Sequence, residues 1–241
     1  MTAIDSLLHS LRTVDPGAPR LTWYGPDGER IELSGKVLDN WVAKSANFLT
    51  EEFDVVAGAL IALQLPAHWK SLCICLAGLA CAATVRFVAE PDSGLADSAS
   101  VWFAAETSGL AAAARRTDAV AVALPALAMA WPGALPDDAE VHDYAAEVRM
   151  FADAFVRFDD PEPDGIAMAG LDRSVDYARI AGLAEGWDAA SRVALDAGEG
   201  LSRVAFAALG IWQAGGSVVL FSDAALASEK LLQAEGVTRR G

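Results

Sequence analysis

Two short stretches carry glycine, hydroxyl and charged residues at a spacing that could hold an anion. The first runs from Asp164 to Asp172, Asp-Gly-Ile-Ala-Met-Ala-Gly-Leu-Asp, with Arg173 after it. Ile166–Ala169 reads as a short buried strand leaving an acidic, proline-containing loop, and a helical pattern is predicted from Ser174 to Gly186. A strand-to-helix junction is where a nucleotide-binding loop belongs, because backbone N–H groups at a helix start favour negative charge. Here the junction offers Gly170 and Arg173 but also Asp172, which would sit against a phosphate. The second stretch is Asp196-Ala-Gly-Glu-Gly200, followed by Ser202 and Arg203, between a predicted strand (Ser191–Leu195) and a predicted helix (Leu201–Gln213). It is a candidate anion cradle, yet a lone Gly-x-Gly is a weak motif. Arg203 stands where a dinucleotide fingerprint needs its third glycine, and Glu199 would repel phosphate.

The other reactive side chains form no constellation. His9, His68 and His142 lie in separate segments, and none accompanies a serine or cysteine in a nucleophile elbow. Cys73, Cys75 and Cys81 share one apolar run, Ser71–Val85, and read as core residues rather than zinc ligands. Asp137-Asp138 and Asp159-Asp160 stand beside prolines and read as exposed loop acids or helix caps. Thr107-Ser108-Gly109 reads as a helix start capped by Thr107 or Ser108.

The elements that must position these residues are legible from apolar spacing. Residues 3–14 have helical periodicity through Ile4, Leu7, Leu8 and Leu11. Leu21–Tyr24, the turn Gly25–Gly28 and Arg30–Leu33 read as a β-hairpin. Ser34 can cap a helix through Phe53 whose apolar side holds Val37, Leu38, Trp41, Ala46, Phe48 and Leu49. From residue 59 the pattern alternates: strand Ala59–Leu65, helix Trp69–Ala82, strand Thr84–Ala89 closed by Pro91, and strand Ser100–Ala104. Helix Ser108–Arg115 and strand Ala119–Leu124 follow. Strands apolar on both faces belong to parallel sheets covered by helices, so the fold class expected is α/β: a three-layer α/β/α arrangement, mostly parallel, with an N-terminal hairpin. Residues 125–165 carry five prolines around one predicted helix near Ala139–Ala154. A second strand–helix series follows, ending in strand Ser217–Phe221 and helix Ala224–Gln233. It either extends the first sheet or forms another. The chain is thus one α/β domain over 1–241, or two subdomains, 1–124 and 166–241, joined by the irregular segment.

The 241 residues are 54% hydrophobic with a formal net charge of −15. Such a surface disfavours nucleic acid and anionic membrane as partners. The N-terminus lacks signal-peptide character, and Ser71–Val85 is short for a membrane span, so a cytoplasmic, reduced protein is expected.

Three stretches resemble the N-terminal half of the adenylate-forming superfamily: acyl-CoA synthetases, peptide-synthetase adenylation domains and luciferase-like ligases. They are the hairpin with its helix (Leu21–Leu49), Gly58–Pro66 with the apolar helix and Leu79–Val85 after it, and Trp187–Leu220 with its Ala-Gly-Gly-Ser-Val-Val-Leu strand. The resemblance covers most of the chain but only the first half of the family's large domain. It places Gly170 where the family has a Gly/Ser/Thr-rich loop ending in Pro-Lys that wraps ATP phosphates. That loop is reduced here to Gly170, Asp172 and Arg173. The family's later adenine- and ribose-binding motifs and its catalytic lysine have no counterpart, and Lys230 matches none of them. In the family the Trp187–Leu220 region borders the acyl pocket, which makes Gly198, Gly200, Ser202 and Trp212 candidate lining residues beside Gly170 and Arg173. The resemblance thus implies a non-catalytic binding module for a small acyl or aromatic ligand, a partner protein or a second copy. ATP and CoA are not expected as cofactors, and no metal is. The alternatives are a component of an acyl-activating enzyme completed by another chain, and a structural oligomerising domain.

Overall fold

The computed structural model describes residues 1–90, 92–136, 139–170 and 172–241. The expectations for Pro91 as a strand terminator and for Asp137-Asp138 as loop acids therefore lie outside the described residues. In chain order the elements are α1 (Ala3–Thr13), β1 (Pro19–Tyr24), β2 (Arg30–Ser34), α2 (Gly35–Glu52), β3 (Leu60–Gln64), α3 (Trp69–Ala80), β4 (Thr84–Phe87) and α4 (Ser93–Ala96). Then come β5 (Val101–Ala104), α5 (Thr107–Ala113), β6 (Asp118–Ala121), β7 (Val141–Asp143), α6 (Tyr144–Glu147), β8 (Ile166–Ala169) and β9 (Ser174–Asp176). Last are β10 (Arg192–Asp196), α7 (Leu201–Gln213), β11 (Ser217–Phe221), α8 (Glu229–Ala234) and β12 (Arg239–Arg240).

Contacts divide the chain into two compact units that follow the sheets rather than chain order. One holds 1–40, 66–72 and 178–241; the other holds 41–65 and 73–177. In the first unit the sheet order is β12-β10-β11-β1-β2. The N-terminal hairpin joins it through β1, which runs parallel to β11 with Leu21 opposite Val218 and Tyr24 opposite Phe221. Leu231 and Leu232 of α8 pack on Phe221, Val219 and Ala194. α7 carries Val204, Leu209, Ile211 and Trp212 into the core. A Cβ on Gly210 would fall 2.2 Å from the Leu183 carbonyl oxygen, so only glycine lets α7 approach that turn.

The second unit has a seven-stranded sheet, β7-β6-β5-β3-β4-β8-β9, parallel except for β9. One face carries Ala62, Trp102, Ala104, Ala119 and Ala121, which pack with Leu110 and Ala113 of α5 and Ala96 of α4. On the other face Gly78 of α3 lies against Val85 and Ile61; a Cβ there would meet them at 2.8 and 3.1 Å. Phe48 of α2 is fully buried among Phe53, Phe151, Tyr144 and His142, with ring centroids 5.0–6.3 Å away. Ser45 and Tyr144 share a hydrogen bond of 2.7 Å beneath this cluster. Helices therefore cover both faces of a mostly parallel sheet, as the alternating pattern implies.

The structure corrects several boundaries. The helix expected over Ala139–Ala154 is instead β7, the single-turn α6 and a 3-10 turn at Val148–Met150. Val141–Asp143 extends the sheet beside β6, and the Asp143 carboxylate caps α6 by accepting from the Ala145 and Ala146 N–H groups. The helix expected over Ala224–Gln233 is split into a 3-10 turn (Ala224–Leu226) and α8, because Ser228 caps a fresh start. α5 begins at Thr107 with Glu106 at its cap position and no side-chain cap bond, so neither Thr107 nor Ser108 caps it. Val37, read as apolar-side, is 40% exposed. The second strand–helix series both extends the first sheet, through β8, and builds the other, through β10 and β11.

Candidate functional site

At Ile166–Arg173 the structure departs most from the sequence expectation. Ser174 does not begin a helix. It begins β9, which pairs antiparallel with β8, Ala169 opposite Ser174 and Met168 opposite Val175. In Ser174-Val175-Asp176 the central valine is buried and its neighbours are not, the period-2 signature of an edge strand. The helical content expected further on is one 3-10 stretch, Ile180–Ala184. The apolar spacing of Val175, Ile180 and Leu183 imitates a helix, and the free edge of β8 decides otherwise by offering hydrogen bonds.

This changes what the junction can do. Gly170 N–H donates to the Arg173 carbonyl at 2.8 Å, closing the connection between β8 and β9. A phosphate cradle needs several backbone N–H groups converging on one point, often at a helix start. Here there is no helix start, and the N–H of the one glycine serves the hairpin. Gly170 is buried, while Asp172 and Arg173 are exposed.

The second stretch folds as expected but closes on itself. β10 ends at Asp196, whose carboxylate accepts from Gly198 N–H at 2.9 Å. Gly200 N–H donates to the Ala197 carbonyl at 3.0 Å. Gly200 has φ 87°, a conformation favouring glycine, and it turns the chain into α7. Glu199 and Arg203 stand 3.7 Å apart, one helical turn from each other. Ser202 Oγ is out of contact with solvent and has no hydrogen-bond partner among the described residues. Gly198, Gly200 and Ser202 are thus close in one turn. Trp212 is not with them: ten residues of helix separate it from Ser202, about 15 Å. It is a core anchor whose Nε1 donates to the Arg20 carbonyl at 2.8 Å. Gly170 and Arg173 belong to one unit and Gly198–Trp212 to the other.

The remaining candidates have structural explanations. His68 is buried, and its ring meets Trp23 edge-on at 4.6 Å. Burial first, and the charge of Lys70 second, push its pKa down to about 3, so it stays neutral and its Nδ1 accepts from Lys70 N–H at 3.2 Å. His142 pairs with Glu147 at 2.8 Å. Cys73, Cys75 and Cys81 are buried thiols. Burial pushes Cys75 and Cys81 up to about 12, which disfavours the thiolate that a nucleophile or metal ligand needs. Among the described residues no group of three or more His, Cys, Asp or Glu could hold a metal ion, and no helix is long and apolar enough to cross a membrane.

The sequence reading missed a polar network in the first unit. Glu235, at the end of α8, accepts from Arg192 at 2.6 Å, from Arg30 Nε at 3.0 Å and from the Tyr24 hydroxyl. Arg192 also reaches Thr22 Oγ1 at 3.0 Å and the Glu235 carbonyl at 2.6 Å. Its members are far apart in sequence, and an arginine opening a strand gives no local sign of its partner.

No family model matches the chain. A protein of Mycobacterium tuberculosis is 39% identical over 74 residues, 30% of this chain and 30% of that protein. Solved structures agree over far more. The acyl-CoA synthetase of Brucella canis superposes on 100% of this chain with a TM-score of 0.79 at 16% identity, over 47% of its own length. Acetoacetyl-CoA synthetase from Streptomyces lividans does so with 0.76 at 17% identity, over 42% of its length. The fold is that of the N-terminal part of the acyl-CoA synthetases. The N-terminal domain of FACL13 from Mycobacterium tuberculosis, taken alone, also covers 100% of the chain with a TM-score of 0.73 at 14% identity. The chain spans 62% of that domain, so the acyl-CoA synthetase-like fold here corresponds to part of such a domain.

Proposed function

We propose that this protein is a non-catalytic binding module on an acyl-CoA synthetase-like scaffold, taking a small acyl or aromatic acid and not activating it with ATP. One observation carries the reading: the Gly170 N–H is bonded to the Arg173 carbonyl where β8 turns back into its antiparallel partner β9. A loop that short has no reach to wrap a triphosphate, and the exposed Asp172 adds repulsion. The closed Asp196–Gly200 turn supports the same reading, since both of its glycine N–H groups have internal partners. A ligand that binds only the folded state raises its stability by mass action. In a thermal-shift panel the expected outcome is a rise in Tm with one class of short aliphatic or aromatic acids and none with MgATP. A rise with MgATP, or no rise with any acid, contradicts the proposal.

A further inference from the structure

Arg86 lies in β4, the fifth of seven strands, between β3 and β8. Its neighbours in register are Ala62 and Ala169, both buried and both small. Alanine on either side leaves open space above an arginine that a larger side chain would fill. An open hollow of about 480 Å³ is there, lined by Arg86, Phe87, Val88, Glu90, Asp92 and Leu95, among others. Among the described residues the Arg86 side chain has no hydrogen bond and no ion pair, although it is only partly exposed. Other arginines of the second unit are tied down: Arg116 by Asp97 at 2.7 Å, and Arg157 by Asp160 at 2.6 Å. A guanidinium on an interior strand loses hydration and gains stability from an anion that fits its fork of N–H donors.

We propose that this hollow is a binding site for the carboxylate of a small, partly apolar acid, seated on Arg86. A planar carboxylate suits the guanidinium in a two-point contact. Val88 and Leu95, on the same face of the sheet as Arg86, suit an apolar body. Glu90 and Asp92 line the same hollow and repel a doubly charged anion about twice as strongly as a singly charged one, which favours a monocarboxylate over the dianionic form of phosphate. Asp92 is held in place as the cap of α4, accepting from Gly94 and Leu95 N–H at 2.9 and 3.1 Å. The inference rests on the acid-binding reading above and assigns it a place.

The test is calorimetric titration of the full chain with sodium benzoate, sodium hexanoate and inorganic phosphate, repeated on Arg86→Gln and Arg86→Lys. Circular dichroism and Tm of the free variants establish that they fold. The expected result is carboxylate binding that weakens about tenfold or more in Arg86→Gln, is partly restored in Arg86→Lys, and exceeds any binding of phosphate. Carboxylate binding that is unchanged in Arg86→Gln overturns the site while leaving the acid-binding function standing. Absence of carboxylate binding to the wild-type chain overturns both. Binding of phosphate alone overturns the carboxylate assignment. Should Arg86→Gln not fold, Arg86→Lys decides: affinity equal to wild type for every acid counts against Arg86 as the seat.

Discussion

Replacing Glu235 with alanine is expected to lower the unfolding free energy by about 3 kcal/mol, read as a fall in the urea midpoint at neutral pH. The size follows from what the substitution leaves behind. The Arg192 side chain is 15% exposed and Glu235 10%, so removing the carboxylate strands a poorly hydrated guanidinium. Arg30, at 42% exposed, recovers water and contributes little to the loss. A double-mutant cycle should therefore give a larger coupling for Glu235 with Arg192 than with Arg30. The pH dependence has a definite sign. Burial raises the Glu235 pKa, but hydrogen bonds from Tyr24, Arg192 and Arg30 outweigh it, and the folded value lies below the ordinary 4.5. A carboxylate depressed in the folded state contributes stability that is complete above its unfolded pKa. That contribution is lost as pH falls through the folded value. Glu235→Gln should thus be destabilised at neutral pH and lose less than the wild type on acidification below about 4.5.

Phe48→Ala should cost about 3–5 kcal/mol, the range for removing a buried aromatic ring. Phe48 is fully buried, and four rings close around it: Phe53 at 5.0 Å, Phe151 at 5.4 Å, Tyr144 at 6.1 Å and His142 at 6.3 Å. These neighbours come from the chain just after α2, from β7, from α6 and from the chain after the following 3-10 turn, so collapse around the void would have to move several elements at once. Phe48→Leu keeps most of the volume and should cost less than half as much. Equal losses for the two substitutions would mean that the ring cluster relaxes freely, contrary to this packing. Chemical denaturation followed by tryptophan fluorescence measures both.

Much of this architecture was legible because local pattern and tertiary environment agree. The hairpin around Gly25–Gly28 declares itself by turn residues between alternating strands. α7 and β11 follow from a helical apolar stripe and a continuous apolar run. Two strands escape the local pattern for different reasons. Ser174–Asp176 is a strand because β8, one tight turn upstream, offers an edge that outweighs the helix-like apolar spacing, and Val141–Asp143 is one because β6, about twenty residues away in sequence, does the same. The second edge is not encoded within reach of the residues that use it. The position of Gly170 was readable, but not that its N–H serves the hairpin. In the sequence Arg86 is one charge inside an apolar run, Thr84–Ala89, whose pattern implies burial on both faces. Only the strand order places it between two alanines and under an open hollow.

The β8–β9 hairpin at Gly170–Arg173 is proposed to hold no nucleotide phosphate. The direct measurement is ATP–pyrophosphate exchange by the purified full chain with a panel of aliphatic and aromatic acids, with Arg173→Ala run in parallel. The expected result is exchange indistinguishable from the protein-free control in every case. Acid-dependent exchange above that control, abolished by Arg173→Ala in a variant that keeps its Tm, would contradict the account.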